Sequence, residues 1–344
     1  MQYNIQRQSN MEILRILAMF LVLLYHSVFL KGEITNGTNS FHSINQLPNL
    51  FLYAISSVCV NTFVLISGWF GIHQKKERFL SLLFQISFYF ILGYAVGIAT
   101  KTIPANGHSL FNLLTLSTEY WFVYAYLGLY LFAPILNTYI EKASQKDLLR
   151  IIIFFFILQT WYGWFRSQEA PFFYGGHSTI SFVGLYLLAR YIKSYVTWQA
   201  HKASTYLTLY VAISIFSTIL CFTALFYGIS TSYAFWIFQY ISPFTIISST
   251  ALLLLFARLK IRPSHFINHV SLSAFAVYLI HTNNAFYPYM EVGLIKIRHW
   301  DCSQWVYYLG LFALLVLIYS SCTLIDQIRL LLWKRIRTSM KTKK

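Results

Sequence analysis

The chain has 344 residues, of which 57% are hydrophobic, 19% aromatic and only 10% charged, with a mean hydropathy of +0.56. A soluble domain carries about 25% charged residues, so these values exclude a soluble enzyme and point to a polytopic membrane protein. The net charge of +16 does not mark a nucleic-acid binder, because Lys and Arg recur in alternate loops and the C-terminal tail and form no single stripe.

Apolar segments of about 20 residues, the length that crosses a bilayer, fall near 11–30, 50–71, 79–100, 118–137, 148–165, 176–193, 205–226, 234–257, 269–290 and 304–332. They predict an all-α bundle of about ten transmembrane helices, one membrane domain over residues 1–344 with no fused extracytoplasmic domain. With both termini inside, only Lys31, Lys101, Arg166, Lys296 and Arg298 of the 26 Lys and Arg fall on the outer side. That asymmetry is the one positive-inside retention produces. Cys59, Cys221, Cys302 and Cys322 have no paired spacing, so neither a disulfide framework nor a thiolate metal site is expected.

The first segment carries the most informative residues. Ser9-x-x-Glu12 reads as a capping box that starts a helix near residue 10. Arg15 and His26 follow on it, eleven residues apart. At about 100° per residue they share one face, roughly 16 Å apart along the axis. Ionisable groups in a membrane-length segment mark function by default. Arg15, near the inner interface, offers a fork of donors matched to phosphates; His26, deeper, is suited to proton abstraction. The structural alternatives are an Arg15 that snorkels and pairs with Glu12, and a His26 that hydrogen-bonds between helices.

The second segment ends in Ser67-Gly68-Trp69-Phe70-Gly71, with Lys75, Lys76 and Arg78 just beyond. Small residues at the expected depth of Arg15, followed by cations, suit a phosphate-holding mouth, though close helix packing explains them equally well. The fourth begins with Glu119-Tyr120-Trp121-Phe122. Trp121 is a candidate for stacking on a sugar and equally an interfacial belt residue, and Glu119 is the candidate carboxylate to orient His26. Glu12 lies about 21 Å from His26 along the helix and cannot do so.

The ninth segment holds Tyr278-Leu279-Ile280-His281, a second intramembrane histidine placed to bind acceptor hydroxyls or a thioester, with Tyr278 beside it. His265 and His269 have the i, i+4 spacing of a metal pair but no third ligand nearby, so no metal is expected. Asn36-Gly-Thr38 is a glycosylation sequon in an outer loop. Nucleophile-elbow and phosphate-loop signatures are absent from the sequence.

The chain resembles the integral-membrane acyltransferase family 3, which includes bacterial polysaccharide O-acetyltransferases. The match is carried, in family order, by Glu12-x-x-Arg15-x10-His26, Ser67-Gly68-Trp69 with its trailing basic residues, Tyr120-Trp121-Phe122 through Pro134, and Tyr278-Leu279-Ile280-His281. The resemblance implies transfer of an acyl group, usually acetyl from cytosolic acetyl-CoA, to a hydroxyl of a surface polysaccharide, lipopolysaccharide or glycan intermediate in a bacterial inner or plasma membrane. It makes Arg15 and His26 the essential pair, with Arg15, Ser67, Gly68, Lys75 and Lys76 toward acyl-CoA and Trp121 and Tyr278 toward the acceptor. Glu12 stands where the family commonly has Asp. Acetyl-CoA is then a donor substrate and no bound cofactor is implied, while membrane lipids and polysaccharide-biosynthesis proteins are the expected partners. A non-enzymatic glycan exporter or flippase, with polar helix faces lining a pathway, is the alternative.

Overall fold

The computed structural model describes residues 7–29, 46–104, 106–107, 120–166, 170, 172–298, 300 and 302–342. Glu119 and the Asn36 sequon lie outside the described residues. Every regular element among those described is helical. They are α1 (Ser9–Phe29), α2 (Leu47–Ser56), α3 (Cys59–Phe70), α4 (Lys76–Ala99), α5 (Trp121–Lys142), α6 (Gln145–Leu158), α7 (Thr179–Tyr195), α8 (Ala203–Phe226), α9 (Pro243–Arg258), α10 (His265–Val270), α11 (Ala274–His281), α12 (Tyr287–Arg298) and α13 (Gln304–Thr342).

Eight helical stretches among the described residues are long and apolar enough to cross a membrane. The two other expected spans explain the difference from ten. That at 176–193 is the 17-residue α7, and that at 269–290 is broken into α10, a 3₁₀ turn and α11, with α12 beginning only at Tyr287. Two other predicted spans are also interrupted: 50–71 divides into α2 and α3, and 234–257 opens with a helical turn and a 3₁₀ turn before Pro243 starts α9. Continuous apolarity hides such breaks, because in a bilayer a broken helix is tolerated where neighbouring protein meets its freed backbone groups.

The chain divides into two compact units, residues 1–73 with 122–264, and 74–121 with 265–344. In the first, α1 packs on α2, α3 and α9, α8 lies along α9 and α2, and α3 lies along α7. Gly68 sets the last of these contacts: a Cβ there would lie 2.7 Å from the Tyr186 carbonyl oxygen and 2.8 Å from the Ala189 Cβ. Backbone and a short side chain cannot move aside, so Gly68→Ala should destabilise the unit by about 1–3 kcal/mol, the usual range for overpacking. Thermal melting in detergent will read this as a lowered midpoint.

In the second unit α4 and α13 run antiparallel, joined by the Glu77–Arg337 ion pair at 2.7 Å, Phe84 stacked on Trp333 at 5.3 Å, and a hydrogen bond of 2.6 Å from the Tyr89 hydroxyl to Asp326. Asp326 also receives two hydrogen bonds from Arg329, at 2.8 and 2.6 Å, and both residues are buried.

Candidate active site

α1 is continuous from Ser9 to Phe29, so the eleven-residue interval does hold Arg15 and His26 on one helix face, about 16 Å apart along the axis. Its first turn differs from the expected capping box. The helix begins one residue earlier, with the Gln8 carbonyl accepting from the amides of Met11 and Glu12. The Ser9 hydroxyl accepts from the Ser264 amide at 2.9 Å, and the Asn10 side chain donates to the Phe256 carbonyl at 2.9 Å. Those two bonds tie the start of α1 to the last turn of α9 and to the segment that follows it.

Glu12, released from capping, pairs directly with Arg15 and at 3.8 Å with Arg7. The carboxylate is buried, while the Arg15 side chain keeps 29% exposure. A guanidinium anchored by one buried acid and open on its other side has donors left for an anion. The pairing foreseen as the structural alternative is thus formed, and it orients Arg15 without enclosing it.

His26 stands in the last turn of α1, half-buried. Its chain neighbour Tyr25 accepts a hydrogen bond of 2.7 Å from the Tyr53 hydroxyl, their rings 4.7 Å apart. Tyr240 adds a third ring at 6.0 Å from Tyr25, and His177 lies 5.0 Å from Tyr240. Asn61, fully buried, donates to the Tyr240 carbonyl at 2.7 Å and leaves its own side-chain oxygen unpaired. The Tyr240 carbonyl is available because the backbone between the 3₁₀ turn and Pro243 is not helical. Tyr25, Tyr53, Asn61, His177 and Tyr240 were all missed by sequence reasoning. Asn61 inside an apolar run and the Ser242-Pro243 break were the signals that could have found part of this cluster.

The end of α3 is closed by a ring of bonds: the Ile72 amide donates to the Tyr186 hydroxyl at 3.0 Å, that hydroxyl donates to Asn137 at 2.6 Å, and the Asn137 side chain donates back to the Ile72 carbonyl at 2.9 Å. Gly71, at φ 76°, caps α3 in the left-handed region where glycine is favoured. Ser67 donates to the Phe63 carbonyl at 3.0 Å and shares a bond of 3.2 Å with the Tyr126 hydroxyl. Gly68, as shown above, meets α7. Both make packing contacts, and α7 brings Arg190 and Lys193 to this helix end, the latter donating to the Trp69 carbonyl at 2.7 Å. Lys75 and Lys76 belong to the second unit and are exposed.

The remaining candidates also lie in the second unit. His281 is buried and its Nδ1 lies 2.7 Å from the Val277 carbonyl; a carbonyl only accepts, so Nδ1 carries a proton. Tyr278 is buried between Phe275, stacked at 6.0 Å, and Tyr120, edge-on at 6.3 Å. Trp121 is half-buried at the first position of α5. His269 Nε2 is 2.7 Å from the Gln327 side-chain oxygen.

A bundle of membrane-length helices with an anchored, anion-ready arginine and a histidine on one helix face has the make-up of a multi-pass membrane acyltransferase. The family model described as an acyltransferase domain, acyltransferase family 3, matches residues 8–325, nearly the whole chain. The chain belongs to this family. No curated protein and no solved structure gave a significant match.

Proposed function

We propose that this membrane acyltransferase moves an acetyl group from cytosolic acetyl-CoA to a hydroxyl of a surface polysaccharide, lipopolysaccharide or glycan intermediate. The observation that carries the reading is the single helix bearing the Glu12-anchored, half-open Arg15 and, about 16 Å further along, His26. Arg15 binds CoA phosphates, and the pantetheine arm extends along the α1 face toward His26.

There the imidazole takes the proton of the acceptor hydroxyl as its oxygen attacks the thioester carbonyl. The tetrahedral intermediate collapses by breaking the carbon–sulfur bond, and the thiolate leaves with the proton that the imidazolium returns. The products are the ester and CoA-SH, with the imidazole regenerated. The Tyr25–Tyr53 hydroxyl pair supplies polar partners for a sugar at the same end of α1.

Purified protein given radiolabelled acetyl-CoA and a glycan fraction should place label in glycan, and label retained on the protein in the absence of acceptor would indicate an acyl-histidine relay. Arg15→Ala should raise KM for acetyl-CoA about tenfold to a hundredfold, since a hydrogen bond to a charged group contributes about 1.5–3 kcal/mol. An unchanged KM would remove Arg15 from the donor site.

A further inference from the structure

Within the first unit, α6, α7, α8 and α9 line a half-open slot of about 380 Å³, within the usual size of a small-ligand pocket. Its walls include Phe156, Leu188, Leu209, Ile246, Ile247 and Leu254, and α1 contributes nothing to them. The slot is therefore separate from the helix face bearing Arg15 and His26.

One end of the slot is polar. Tyr206, a wall residue in the first turn of α8, donates to the Trp198 carbonyl at 2.7 Å. Leu254, another wall residue, is followed one turn later on the same face of α9 by Arg258, an electrostatic neighbour of Tyr206. Arg258 Nε and Trp198 Nε1 are both buried without a hydrogen-bond partner. Lys202, exposed, directly precedes α8. Buried donors are almost always satisfied, and an unmet guanidinium nitrogen calls for an anionic acceptor.

We propose that this slot binds a phosphate-headed diacyl lipid, one hydrocarbon chain lying along the walls formed by α6, α7, α8 and α9 and the phosphate accepting from Arg258. The arrangement is complementary to both parts of such a molecule. Hydrocarbon walls in a membrane-spanning bundle take an acyl chain, and the planar fork of an arginine is matched to phosphate. A free anion would use only the polar end and a neutral lipid only the walls.

The test uses the purified, delipidated full-length protein and follows binding by native mass spectrometry and thermal shift. Phosphatidylglycerol should bind and raise the melting point, whereas diacylglycerol with the same chains and glycerol phosphate without chains should each bind at least tenfold more weakly. Arg258→Gln should weaken phosphatidylglycerol binding at least tenfold, and Ile247→Trp, at a position 47% exposed where a larger ring does not disturb the core, should do so by filling the slot. Equal binding of phosphatidylglycerol and diacylglycerol, or no change in either variant, would overturn the proposal. Glycerol phosphate binding as tightly as the lipid would reduce the site to an anion site and overturn it as well. Every readout is binding, so the result stands apart from whether Arg15 and His26 perform the transfer.

Discussion

Replacing His26 with Ala should lower the rate of acyl transfer by about a hundredfold to ten-thousandfold, the usual worth of a positioned general base, while leaving the fold intact. The side chain is half-buried in the last turn of α1, so its loss opens no sealed cavity and should lower stability by only about 1 kcal/mol, the common cost of a single substitution. His26→Gln sharpens the test. Glutamine preserves polarity and a hydrogen bond but takes up no proton at neutral pH, so it should be as inactive as Ala if the imidazole is the base, and active if polarity alone matters. In the wild-type protein kcat/KM should fall on acidification, because a protonated imidazole cannot accept the hydroxyl proton. Normal transfer by both variants would refute the assignment.

That this residue was legible at all follows from where the information lies. Arg15 and His26 are placed by the periodicity of one helix, and periodicity needs no knowledge of any other element. The same holds for Glu12, whose pairing with Arg15 is an i, i+3 contact. What surrounds His26 is different. Tyr53 and Tyr240 reach its chain neighbour Tyr25 from α2 and the non-helical stretch before α9, Asn61 of α3 bonds the Tyr240 carbonyl, and only packing brings them together. The breaks that make this geometry were obscured by unbroken apolarity at 50–71 and 234–257. Ser67 and Gly68 were recognised as small residues, but composition alone does not separate close helix approach from ligand approach. The Tyr186 carbonyl oxygen next to Gly68 shows the close helix approach. Likewise Arg190 and Lys193 were visible only as inner-side charge, until α7 was seen to bring them to the end of α3.

The largest stability effect should come from the second unit, at Asp326. Its side chain has no exposure and Arg329 has 4%, and the carboxylate accepts from Arg329 Nε and Nη2 and from the Tyr89 hydroxyl. Removing one member of a buried ion pair strands the other, which costs about 3–5 kcal/mol. Asp326→Ala and Arg329→Ala should therefore each lower stability by that amount, read as a loss of folded protein in detergent at elevated temperature. Tyr89→Phe removes one hydrogen bond to a charged group, about 1.5–3 kcal/mol, and leaves the pair intact. The decisive variant is the double replacement Asp326→Leu with Arg329→Met. It removes both charges and fills their space with hydrocarbon, and such exchanges are often neutral or stabilising. Recovery of most of the lost stability would show that the penalty belongs to the stranded charge and that the pair serves to neutralise itself where α13 meets α4. A double variant as unstable as either single one would instead assign the effect to the buried Tyr89 hydroxyl, which Asp326→Ala and the double replacement both leave without its acceptor.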